Sequence, residues 1–146
     1  MKVYPIGYST PGAKERIDEL LEGSKTLLID TRITPWSWDN YWKGEALKSR
    51  YNEKYRYAGK FLGNLGYKSG YIKIADIDTG LKGLMTYLYE GYDLILLCQC
   101  RKFNTCHAST IIDELLDRYI VEVVHFGEQI EWTQIYSQEN RKLRKI

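Results

Sequence analysis

Leu94-Ile95-Leu96-Leu97-Cys98 is a continuous apolar run of strand length, and Gln99-Cys100-Arg101-Lys102-Phe103-Asn104-Thr105-Cys106-His107 follows it directly. A short apolar run of this kind belongs to a strand covered on both faces. Beyond the loop, Ala108, Ile111, Ile112, Leu115 and Leu116 recur at the spacing of one helix face, and Val121, Val123 and Val124 supply a further strand. Strand, helix and strand in succession need a crossover, which points to parallel pairing.

The same alternation appears upstream. Val3 to Ile6 reads as a strand, and Ser9-Thr10-Pro11 then offers a capping hydroxyl with a proline suited to the first helical position. Ala13, Ile17, Leu20 and Leu21 share one helical face, and Gly23 is the predicted stop. Leu27-Leu28-Ile29 is a second buried-strand run ending at Asp30-Thr31-Arg32, and Leu81, Leu84, Met85, Leu88 and Tyr89 mark another helix after a Thr79 cap and before Gly91. The predicted fold is therefore a three-layer α/β arrangement, a mainly parallel sheet with helices on both faces.

Composition agrees with that class. The chain has 146 residues, 44% hydrophobic and 27% charged, which suits a single domain over 1–146 with a substantial core and excludes disordered and fibrous classes. No apolar run approaches the roughly 18 residues of a membrane span, and Met1 to Gly7 lacks the basic-then-apolar pattern of a secretory signal, so no membrane association and a cytoplasmic location are expected. The formal charge of +2 is too small for whole-molecule attraction to polyanions. Three cysteines, an odd number, favour thiols, metal ligation or catalysis over a disulfide framework.

In open parallel sheets, ligands bind beyond the carboxyl ends of the strands. Four groups of candidate residues fall there: Tyr8, Ser9 and Thr10; Asp30 and Arg32; Cys98 through His107; and His125 after Val124. Any one of these has an ordinary reading as turn or cap chemistry, and their coincidence is what suggests a site. Arg32 presents a planar donor set suited to phosphate or carboxylate, with Asp30 to orient it or accept a proton; the competing reading is a structural ion pair. Trp36, Trp38 and Trp42 follow closely enough to form a wall for a base or ring.

The loop after Cys98 is the most distinctive stretch. With Asn104 or Thr105 capping the next helix, Cys106 and His107 fall in its first turn, where N–H groups and the helix dipole stabilise a thiolate or hold an anion, and Arg101 adds positive charge. Cys106, His107 and Asp30 are the catalytic candidates, although the same turn equally suits a phosphate site in which Cys106 does no chemistry. Zinc on Cys98, Cys100, Cys106 and His107 is less favoured, because structural sites use two separated ligand pairs. A Cys98–Cys100 disulfide is disfavoured too, since two residues of extended strand span about 6.6 Å. Phosphatase-like loops place an arginine six positions after their cysteine, and the residue six after Cys100 is Cys106.

Taken together, residues 3 to 126 resemble the domain of unknown function 488 family. Ile6-Gly7-Tyr8-Ser9-Thr10 is similar to the family's Ile-Gly-His-Ser-Thr, the stretch from Leu28-Ile29-Asp30-Thr31-Arg32 to Pro35 and Ser37 to its Asp-Val-Arg with a following Pro and Ser, and Cys98 with Cys106-His107 to its closing Cys and Cys-His-Arg. Tyr8 stands where a histidine is usual and Ala108 where an arginine is usual. The resemblance implies an α/β fold with a shared site at these strand ends, and supplies no reaction.

Residues 33–72 form a less regular insertion expected to carry specificity. Between Tyr41 and Lys60 it holds six basic and two acidic residues, interleaved with Tyr41, Trp42, Tyr51, Tyr55 and Tyr57. Cations beside aromatic faces are the recipe for nucleotides or single strands, while an amphipathic helix packing Ala46, Leu47 and Tyr51 explains the same residues without a ligand. A basic tail occupies 137–146. The expected ligand is small, anionic and nucleotide-like, bound by Tyr8, Ser9, Thr10, Arg32, Ser37, Cys98, Arg101, Asn104, Thr105 and His125, with or without thiol-dependent chemistry. No cofactor is expected. A non-catalytic nucleotide-binding module and a nucleic-acid accessory protein are the alternatives, the latter binding weakly and in a salt-dependent way.

Overall fold

The computed structural model describes residues 1–99, 106–126 and 131–136. Six strands, β1 (Lys2–Gly7), β2 (Thr26–Asp30), β3 (Tyr55–Tyr57), β4 (Asp93–Cys98), β5 (Glu122–Phe126) and β6 (Glu131–Gln134), form one sheet in the order β3-β2-β4-β1-β5-β6. All neighbours are parallel except β5 and β6, which are antiparallel. The helices are α1 (Ala13–Leu21), α2 (Gly44–Tyr51), α3 (Gly59–Leu62), α4 (Ile77–Tyr89) and α5 (His107–Arg118).

Alternation along the strands sorts the core into two layers. Val3, Leu27, Ile29, Leu94 and Leu96 face α4 and α5, whose Leu81, Leu84, Leu88, Ile111, Ile112 and Leu115 complete one side. Ile6, Leu28, Ile95 and Leu97 turn the other way, against Ala13 and Ile17 of α1 and Leu47 of α2. Residues 94 to 97 are each fully buried, the condition that the apolar run of β4 implied. This is the expected three-layer α/β fold, and no helix among the described residues is long and apolar enough to cross a membrane.

The structure moves several expected boundaries. α1 starts at Ala13 rather than at Pro11, because Thr10 closes a turn on Gly7 (N···O 2.9 Å) and Gly12, at φ 84°, takes the cap position with no capping side chain. That φ belongs to the left-handed region, where a side chain is strained. α4 starts two residues before Thr79: the Asp76 carboxylate accepts from the Thr79 N–H and is the cap. The insertion at 33–72 contains α2, with Leu47 buried and Lys48 and Arg50 solvated, and the edge strand β3. The basic tail at 137–146 lies outside the described residues.

Candidate functional site

Asp30 is the last residue of β2 and points to the α1/α2 side of the sheet, as Leu28 does. It is fully buried. Arg32, two residues on, folds back over it: Nε donates to Oδ1 at 2.8 Å, Nη2 to Oδ2 at 2.7 Å, and the Arg32 backbone N–H to Oδ1 at 3.1 Å. Tyr55 at the start of β3 adds a fourth donor, its hydroxyl reaching Oδ2 at 2.6 Å. The carboxylate thus has the hydrogen bonds that a buried charge requires. Burial works against the guanidinium charge, but the hydrogen bonds and charge of Asp30 more than offset it and hold Arg32 above its ordinary pKa. Burial, then the Asp30 charge, pushes the Tyr55 phenol upward, so it stays a donor.

The face of the guanidinium is covered by Tyr8, whose ring centroid lies 5.5 Å from Cζ, and Tyr8 stacks in turn on Trp42 at 5.1 Å. One donor is left over: Arg32 Nη1 is buried and has no hydrogen-bond partner among the described residues. Gly59 at the start of α3 permits this approach, since a Cβ there would stand 1.9 Å from the Arg32 carbonyl oxygen.

Arg32 lies in the wall of a cavity of about 580 Å³, a size that suits a small-molecule ligand. Trp36, Ser37 and Trp38 line it from the segment after β2, Asn64, Tyr67 and Tyr71 from beyond α3, and Gln99 and His107 from the end of β4 and the start of α5. The cavity therefore opens at the carboxyl ends of β2 and β4. Ser37 is itself buried, its Oγ accepting from the Asp39 N–H at 3.2 Å.

His107 is anchored by Thr31. The Thr31 hydroxyl donates to the Leu97 carbonyl at 2.8 Å, so toward the imidazole its oxygen acts as an acceptor. His107 Nε2 stands 3.1 Å from that oxygen and 3.1 Å from the Thr31 carbonyl oxygen. Two acceptors at Nε2 put the proton there and leave the Nδ1 lone pair facing Cys106 Sγ at 3.8 Å. Burial lowers the His107 pKa, against smaller opposing effects from the Thr31 carbonyl and the Asp30 charge.

Several expected site residues lie elsewhere. Ser9 and Thr10 form the turn ahead of α1 and do not line the cavity. Trp42 is 3% exposed and packs in the core, while Trp36 and Trp38 do form a wall. His125 sits within β5 rather than after it; its Nε2 is 2.7 Å from Gln134 Oε1 and its ring stacks on Trp132 at 3.8 Å, away from the cavity. Cys98 is a buried thiol at the end of β4. Cys106 departs most from expectation. It is the cap of α5 rather than a first-turn residue, it is 1% exposed, and its sulfur is engaged in a disulfide. Among the described residues no three His, Cys, Asp or Glu side chains are placed to share a metal ion. Cys100, Arg101, Asn104 and Thr105 fall outside the described residues.

Thr31, Tyr55, Asn64, Tyr67 and Tyr71 are functional candidates that the sequence reading passed over. Tyr55 carried a signal as an aromatic among basic residues, and Thr31 stood in the strand-end stretch Asp30-Thr31-Arg32; Asn64, Tyr67 and Tyr71 enter only through the folding of the insertion over the strand ends. No protein-family model, curated protein or solved structure matches the chain.

Proposed function

We propose that this chain is a cytoplasmic protein that binds a small anionic, nucleotide-like ligand in the cavity beyond β2 and β4. The observation that carries this reading is Arg32 Nη1, a buried charged donor without a partner among the described residues, in a wall shared with two indoles. Such a donor is costly unless something accepts from it. Asp30 offsets the charge of Arg32, so the inner wall selects by hydrogen bonding more than by charge. Positive charge stands over the lining aromatics instead: Lys43 Nζ is 5.6 Å from the Trp36 ring and Lys68 Nζ 5.8 Å from the Tyr67 ring. A ligand with a planar ring, a polar inner edge and an anionic group facing those lysines fits this distribution. The resemblance to the domain of unknown function 488 family enters the proposal through Arg32, Ser37 and His107, which its motifs single out and which line one cavity.

Titrating the protein with the four ribonucleoside monophosphates while following tryptophan fluorescence tests this reading. Saturable quenching by at least one, lost in Trp36→Phe/Trp38→Phe, is expected. No saturable response, together with no nucleotide retained in native mass spectrometry of freshly purified protein, overturns it.

A second reading, single-strand nucleic-acid binding, is favoured by Trp38, 90% exposed at the cavity mouth. Against it, Arg50 lies 3.6 Å from the Tyr41 ring centroid and Lys14 4.2 Å, so part of the basic and aromatic insertion is engaged with itself. Fluorescence anisotropy with single-stranded oligonucleotides separates the two: tight binding that survives high salt would put the accessory role first.

A further inference from the structure

Cys106 and His107 meet at the cap of α5 in an arrangement that cavity binding does not need. His107 is held as the tautomer with its proton on Nε2 by the two Thr31 oxygens, so its other nitrogen is a bare base 3.8 Å from Cys106 Sγ. A nucleophile beside a base, with a third group orienting that base, is the general pattern of an activated thiol. The sulfur is engaged in a disulfide, Cys98 packs beside it as a thiol, and His107 itself lines the cavity. We propose that Cys106 and His107 are a nucleophilic thiol–imidazole pair held in reserve as a disulfide, opened by a dithiol reductant and directed at soft electrophiles.

The dithiol closes to its own cyclic disulfide and gives up two electrons and two protons; the S–S bond at Cys106 breaks, and two protein thiols form. The Cys106 S–H then passes its proton to His107 Nδ1, leaving a thiolate against an imidazolium. Burial alone opposes the imidazolium, but the new thiolate, the Asp30 carboxylate and the Thr31 carbonyl all favour it. Among the described residues, the Asp30 carboxylate at the end of β2 acts on His107 and Cys98 at the end of β4 packs with Cys106. An electrophile such as iodoacetamide would form a C–S bond to Cys106 as iodide leaves.

The contacts of His107 with Thr31 and Cys106 need no ligand in the cavity. Its first test is peptide mapping of native, air-exposed protein: Cys106 should resist iodoacetamide without reductant, and its complete alkylation would overturn the disulfide reserve. The second is the ultraviolet thiolate absorbance of reduced protein against pH. A thiolate persisting at least about one pH unit below the ordinary thiol value of about 8.5 is expected, absent in Cys106→Ala and moved upward in His107→Gln, which keeps a donor to Thr31 but has no base. One of the two histidines should titrate in proton magnetic resonance in step with that thiolate, a readout that needs no variant to fold. A thiolate appearing only near the ordinary value, or a low transition that survives either substitution, would overturn the pair.

Discussion

Arg32 grips Asp30, two residues earlier in its own chain, through a two-pronged contact at 2.8 and 2.7 Å in which the carboxylate is fully buried and the arginine 5% exposed. The structural reading of Arg32 is thereby established: two side-chain nitrogens hold the strand end together, while the third, Nη1, is buried with no hydrogen-bond partner among the described residues. Arg32→Ala strands a buried carboxylate and should cost about 3–5 kcal/mol, seen as a lower denaturant midpoint. Arg32→Lys keeps a charge without the fork and should fall between Ala and wild type. A stability equal to wild type for Arg32→Ala would show that the pair does not hold the fold.

Tyr55→Phe removes the hydroxyl at 2.6 Å from Asp30 Oδ2 and leaves the ring in place. A hydrogen bond to a charged group contributes about 1.5–3 kcal/mol, and a loss of that order is expected in chemical denaturation. Tyr57→Phe, which deletes a neutral bond of 2.5 Å to the Ile33 carbonyl from an exposed side chain, should cost less. Equal costs would mean that the carboxylate gains nothing special from Tyr55.

His107 gives the oxidised protein a pH dependence of defined sign. Burial lowers its pKa below the ordinary 6.5, so the unfolded chain takes up the proton first as pH falls. The stability contributed by neutral His107 is fully present above about 6.5 and is lost as pH drops toward the folded-state value. Melting temperatures of wild type and His107→Gln should accordingly differ most near neutral pH and converge on acidification. A gap that widens on acidification would reverse the sign and place a charged imidazole in the folded state.

What could be read beforehand follows from which residues carry a periodic signal. Ala108, Ile111, Ile112, Leu115 and Leu116 form the buried face of α5 as their spacing implied, and β1, β2 and β4 fall where the apolar runs lie. β3, with only Tyr55-Arg56-Tyr57, has no run to detect and exists through its pairing with Leu28-Ile29-Asp30. β6 carries mostly exposed residues and needs β5 to define it, and that pairing is what takes His125 away from the site. Asp30 and Arg32 were visible as strand-end polar residues, but the cavity wall opposite them comes from a segment without periodicity. The odd cysteine count favoured thiols over disulfides, and the disulfide at Cys106 corrects that expectation, because an odd number leaves one cysteine over without preventing others from pairing.

Two glycines should respond to alanine with opposite signs, and the contrast isolates the close approach behind Arg32. Gly59 stands where an added Cβ would lie 1.9 Å from the Arg32 carbonyl oxygen and 2.4 Å from the Tyr57 hydroxyl, so either α3 or the segment after β2 must shift. Overpacking of this kind costs about 1–3 kcal/mol, and because the obstacle is backbone rather than a pliable side-chain end, the upper part of that range is expected. Displacing Arg32 should also weaken nucleotide quenching of Trp36 and Trp38. Gly83 lies inside α4 with nothing within 4 Å of an added Cβ, and alanine there should stabilise by about 0.5–1 kcal/mol because the helix interior no longer carries the backbone entropy of glycine. Denaturant melts of both variants, paired with nucleotide titrations, decide the matter: a neutral Gly59→Ala with unchanged ligand response would show that the Arg32 segment is not held by this contact.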